Sequence, residues 1–113
     1  MTTVLRTTFL AAAMSLAAIP ACLAEDLPEI AITLKNHTFT PAEVHVPAGK
    51  AVVLVVTNQD DQSDEFEMHH PAVEKVIAPG ATVKIRMRPL GAGSYPFVAE
   101  FHEATAKGVI VSQ

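Results

Sequence analysis

Short apolar segments with a two-residue period, each closed by a turn signal, constrain this chain more than any other feature. Thr82-Val83-Lys84-Ile85-Arg86-Met87-Arg88 alternates without a break. A strand there puts Val83, Ile85 and Met87 on one face and Lys84, Arg86 and Arg88 on the other. Glu43-Val44-His45-Val46 alternates in the same way, and Ile30-Ala31-Ile32-Thr33-Leu34 is a short apolar strand. Ala51 to Val56 is rich in β-branched residues and apolar on both faces, which marks a central strand. Further strands are expected around Phe66, over Val73–Ile77 and over Gly108–Val111. Asn36-His37, Thr40-Pro41, Pro47-Ala48-Gly49-Lys50, the polar loop Asn58–Asp64, Pro79-Gly80 and Pro89–Ser94 separate these segments. None of them reads as a helix. The expectation is an all-β Greek-key sandwich of seven or eight strands, with a core that includes Val53, Val55, Ile85, Phe97 and Val109. Met68 and Met87 are core fillers on this reading.

The start of the chain has a different character. Arg6 lies in an acid-free segment, Phe9 to Ile19 is an apolar run, and Pro20 and small residues lead to Ala24 before Glu25-Asp26. The run is shorter than the ~20 apolar residues of a membrane span. Residues 1–24 therefore read as a secretory signal, cut after Ala24, with the folded domain at 25–113 and its location in the periplasm. Ile19-Pro20-Ala21-Cys22 loosely resembles a lipoprotein box, so lipid anchoring through Cys22 is the alternative. On either reading the folded domain has no thiol and forms no disulfide, which suits an oxidising compartment.

From Glu25 onward stand all 12 acidic residues, and seven of the eight basic ones, since Arg6 lies in the leader. There is no basic cluster, which argues against nucleic acid and against anionic membranes as partners. Cations or a basic protein suit such a surface. Hydrolytic chemistry has no support either, for there is no cysteine nucleophile in the domain, no glycine-rich phosphate loop and no zinc-type ligand spacing.

The last hairpin, Gly93 to Gly108, resembles the ligand loop of the cupredoxins, the small blue-copper β-sandwiches. That family runs Tyr-x-Phe-x-Cys, then a His, a Met and a Gly. Here Tyr95, Phe97, His102 and Gly108 stand in their places, but Ala99 holds the Cys position and Ala106 the Met position. Phe39-Thr40-Pro41, Val44-x-Val46-x-x-Gly49 and Val55-x-Thr57-Asn58-x-Asp60 extend the resemblance over nearly all of the mature chain. Without a thiolate, a blue-copper centre is not expected. The triplets Glu65-Phe66-Glu67 and Glu100-Phe101-His102, with Thr105-Ala106-x-Gly108, are similar to a cysteine-free periplasmic subfamily associated with bacterial ferrous-iron permeases. Met68 departs from that pattern, where a small polar residue is expected. The resemblance implies a role in binding ferrous iron or oxidising it, by a ferroxidase-type activity, for uptake, beside a membrane iron permease and other periplasmic proteins.

The residues support a metal site at one end of the sandwich. On an extended strand Glu65 and Glu67 share a face opposite Phe66 and Met68, and Glu100 and His102 share one if extension continues past Ala99. The cupredoxin topology brings the two segments together, which makes Glu65, Glu67, Glu100 and His102 the candidate metal ligands. Oxygen donors with an imidazole suit iron or Cu(II) better than Cu(I). Alternatives stay open: a metal-free β-sandwich serving as an interaction module, or a copper(II) chaperone or electron-transfer protein without a blue site. The acidic run Asp60, Asp61, Asp64, Glu65 and Glu67 also reads as a solvated loop. His69-His70 cannot readily serve one ion from a strand, and His37 and His45 read as surface histidines.

Overall fold

In the computed structural model, which describes residues 2–4, 11–15, 17 and 26–113, nine strands build two sheets. Arg6, Cys22 and Ala24, which carry the secretory and lipoprotein readings, lie outside the described residues. Strands β1 (Glu29–Lys35), β2 (Thr38–Thr40), β4 (Val52–Asn58) and β7 (Thr82–Met87) form one sheet in the order β2-β1-β4-β7. Strands β3 (Glu43–Val46), β5 (Asp64–Met68), β6 (Val73–Ile77), β8 (Gly93–Ala99) and β9 (Lys107–Ser112) form the other, in the order β3-β9-β8-β5-β6. The β1–β4 and β3–β9 pairs are parallel and the remaining pairs antiparallel. One strand more than expected is present, because the segment ahead of Glu43 divides. Thr38–Thr40 pairs back on β1, and after Pro41-Ala42 the chain crosses to the opposite sheet as β3.

The alternation in β7 holds, with Ile85 and Met87 buried and Val83 packed against the core. In β4 the phase is the reverse of the expected one. Val52, Leu54 and Val56 are buried, and Val53 and Val55 lie on the outer face. A strand apolar on both faces carries no internal sign of which face is inward. The choice is made by its neighbours: Val53 and Val55 are cross-strand partners of Arg86 and Lys84, whose aliphatic stems can cover them. The same correction applies to Val109, since Ile110 and Ser112 are the buried residues of β9.

The core closes around three rings, Phe39 from β2, Phe66 from β5 and Phe97 from β8, with centroids 5.0 to 6.1 Å apart. Such aromatic pairs add to burial through their preferred geometry. Gly108 stands where β9 passes this cluster: a Cβ there would meet the Phe97 ring, and would lie 2.7 Å from the Ala42 carbonyl oxygen. Only glycine permits that approach.

Candidate metal centre

Strand β5 runs Asp64-Glu65-Phe66-Glu67-Met68 with its first, third and fifth residues buried and its two glutamates half-buried on the other face. The pleat that turns Phe66 into the core therefore turns Asp64 inward as well, leaving its side chain only 2% exposed. A buried carboxylate is costly unless hydrogen bonds replace its water. Asp64 has them. Its Oδ1 accepts from the amides of Glu65 (2.8 Å) and Phe101 (3.1 Å), and its Oδ2 meets Nδ1 of His102 at 2.7 Å. Since the carboxylate can only accept, Nδ1 of His102 carries the proton, and in the neutral ring Nε2 carries the lone pair.

The chain does not stay extended beyond Ala99. Glu100–His102 forms a single 3-10 turn, and the loop is closed by backbone bonds from the Ala99 amide to the Ala106 carbonyl (2.9 Å) and from the Ala106 amide to the His102 carbonyl (2.8 Å). At three residues per turn, Glu100 and His102 point in different directions, so the common face expected of them is not formed. His102 turns onto Asp64, with a quarter of its side chain exposed. Glu100 is exposed and reaches Glu65. The Glu65 carboxyl is pushed above its ordinary range by loss of solvent, then by the charge of Glu100 and a hydrogen bond shared with it, then by Glu74 and Glu67. Glu67 shares the outer face of β5, opposite Glu74 on β6 and within 3.8 Å of the exposed His69.

Of the four residues expected from sequence, the structure thus brings Glu65 and Glu100 together, sets Glu67 on the same face, and directs His102 toward the inner side of β5. Among the described residues no group of three or more His, Cys, Asp or Glu side chains is gathered closely enough to hold an ion.

Three residues join His102 that sequence reasoning left aside. Asp64 belongs to the run read as a solvated loop. His37, at the tip of the β1–β2 hairpin, stacks its ring on His102 with centroids 3.5 Å apart and planes 13° from parallel. Asp60 holds that tip, accepting from the amides of Asn36 (2.6 Å) and His37 (3.0 Å). Asp60 is in turn set by Asn58, whose Oδ1 accepts the Asp60 amide and whose Nδ2 donates to the carbonyls of Gln62 and Ile77. Burial raises the Asp60 carboxyl, but the His37 and Asn36 amides and the nearby imidazoles outweigh it and hold it below 3.8. A signal for Asp64 was present in the sequence, because alternation from Phe66 and Met68 puts it on the inward face.

The chain matches the cupredoxin-like domain family over residues 6–112 and belongs to that family. It is 37% identical over 87 residues to an uncharacterized protein of Rickettsia prowazekii (strain Madrid E), across 77% of this chain and 70% of that one. Among solved structures it is similar to the metal-binding domain of the Cu(I)-exporting P-type ATPase of Streptococcus pneumoniae D39. The TM-score is 0.68 at 16% identity, over 80% of this chain and 90% of that one. Auracyanin A, a blue copper protein of Chloroflexus aurantiacus, gives 0.66 at 15% identity, over 78% of this chain and all of that one. At such identities the likeness is one of fold. This is a cupredoxin-like domain that shares its fold with those copper-binding proteins.

A blue-copper centre does not fit these residues. Ala99 and Ala106 are fully buried core residues, so neither a thiolate nor a thioether is offered where the loop closes. The sulfur atoms of Met68 and Met87 belong to buried side chains of the core.

Proposed function

We propose that this domain binds a transition-metal ion through oxygen and imidazole donors, with ferrous iron as substrate, and assists its oxidation in the periplasm for uptake by a membrane iron permease. The observation that carries the reading is the grip of buried Asp64 on Nδ1 of His102. Carboxylates that hold the far nitrogen of a histidine fix its tautomer and raise its basicity as a metal ligand. Nε2 is then the nitrogen left to bind. The carboxylates of Glu65, Glu67 and Glu100 supply hard donors at the same end, and the repulsion that raises Glu65 is relieved when a cation enters. Glu65 and Glu100 are long and partly exposed side chains, able to swing toward an ion held by His102.

Anionic oxygen donors favour the higher charge of Fe(III) over Fe(II), which lowers the cost of removing one electron. That electron passes to a one-electron acceptor outside this chain, a redox partner of the same system. Cu(II) suits the same donors, and the copper-binding relatives in this fold favour testing it beside iron.

The test is calorimetric titration of the purified domain with Fe(II) under anaerobic conditions, and with Cu(II). His102→Ala should remove most of the affinity. Glu65→Gln with Glu67→Gln should weaken it, non-additively with His102→Ala, because ligands of one ion couple. Undiminished affinity in both variants, with the fold intact by circular dichroism, would overturn this reading and leave a metal-free interaction module in its place.

A further inference from the structure

The β1–β2 hairpin is closed by two residues, since Lys35 pairs with Thr38 and only Asn36 and His37 lie between them. Both have positive φ, 51° and 54°. Two-residue hairpin turns with that conformation strongly favour Asn-Gly, because the second position suits a residue without a Cβ. Asn36 meets the preference at the first position. At the second stands a histidine, which carries backbone strain that glycine would not. Observed strain of this kind is a reason to look for a function.

The His37 ring supplies it. It lies face to face on His102, 3.5 Å away and half-buried, while the two carboxylate oxygens of Asp60 hold its turn in place. Rings stacked face to face direct their lone pairs along nearly parallel planes, so a single ion cannot lie in both. His37 is therefore not a second ligand beside His102 in this arrangement. Its contact is of another kind. The ring is held by its Cβ–Cγ bond and by the hydrogen bond from Nδ1 of His102 to Asp64, and about the line between these two attachments it can still rock and move Nε2 through an arc. A flat neighbour against the ring face removes that freedom.

We propose that His37 is a positioning residue for His102: its stacked ring fixes the imidazole plane while Asp64 fixes the tautomer, so that Nε2 is aimed before a metal ion arrives. The proposal rests on the metal-binding reading for its purpose, but the ring contact can be tested without metal. His37→Gly suits the turn and removes the stack. His37→Phe keeps a ring on His102 and removes both nitrogens.

In the metal-free protein, imidazole NMR should show a slowly exchanging Nδ1 proton on His102. His37→Gly should speed that exchange, and His37→Phe should restore most of the protection. In Fe(II) and Cu(II) titrations, His37→Gly should lose about tenfold in affinity, at the lower end of what outer-shell changes cost, and His37→Phe should recover it. An unchanged His102 signal and unchanged affinity in His37→Gly would overturn the proposal. So would loss of affinity in His37→Phe with the His102 signal preserved, because His37 would then act as a ligand. If the wild-type domain binds neither ion, the metal-binding reading fails, and the NMR comparison still decides whether His37 holds His102.

Discussion

Asp64 joins the two segments of the candidate metal site through one side chain, bonding the Phe101 amide and the His102 ring across 37 and 38 residues of sequence. Asp64→Asn separates its two roles. The amide oxygen can still accept from the Glu65 and Phe101 backbone, so the fold should survive. Its NH2 group would face Nδ1, which must then accept, and the proton moves to Nε2, the nitrogen proposed to bind the ion. Metal affinity should fall about 10- to 100-fold, in line with outer-shell changes elsewhere. Titration calorimetry beside circular dichroism reads both consequences, and wild-type affinity in a folded Asp64→Asn would remove Asp64 from the site. Little of this was legible in the sequence. The acidic run from Asp60 to Glu67 offers five carboxylates of like appearance, yet Asp60 and Asp64 are bonded to backbone amides and Glu65 is crowded by other carboxylates. Residue type does not separate them; the pleat of β5 and the path of the hairpin do.

At the level of elements, alternation placed β7 correctly because it carries polar residues on one face only, and it set Phe66 and Met68 of β5 and Phe97 and Ala99 of β8 inward. It could not phase β4, where every position from Val52 to Thr57 is apolar or β-branched. The 3-10 turn was hidden for a different reason. Glu100-Phe101-His102 keeps the alternating pattern of a strand, but Phe101 is 56% exposed because backbone bonds within the loop, not burial, set its conformation. The β1–β2 hairpin was visible only as a turn, and its docking on the β4–β5 loop depends on Asp60. Because the Asp60 carboxyl is held below 3.8 in the folded protein, the folded state binds its proton less readily than the unfolded chain does. Its contribution to stability is therefore full above that value and is lost as pH falls through the lower, folded value. Asp60→Asn should lower the melting temperature at neutral pH and flatten the acid limb below about pH 4, since it has no charge to lose. Thermal melts by circular dichroism across pH 2–7, a range chosen to span about two units on either side of the carboxylate titration, would check this. An acid limb identical in the two proteins would mean that the hairpin docks without Asp60.

For the whole molecule, the question is whether the sandwich needs an ion to fold. In small metallo-domains that lack a core, the binding energy is the folding energy and chelators unfold them. Here the two sheets enclose a continuous core from Ile32 to Ile110. The loop that would carry ligands is closed by its own backbone bonds, and Ala99 and Ala106 are packed into the core at its two ends. Asp64, His102 and His37 are held by one another and by Asp60, through contacts made within the protein itself. Chelation with EDTA should therefore leave the far-ultraviolet circular dichroism unchanged. Added Fe(II) or Cu(II) should raise the melting temperature only by mass action, about 2.7 kcal/mol of stabilisation when the free ion is 100 times its dissociation constant. The copper-loaded protein should also lack the intense thiolate-to-copper absorption of blue sites, because no sulfur lies at Ala99. Unfolding on chelation would show that the ion is structural and would count against the proposed capture and release of iron, since each release would cost the domain its fold.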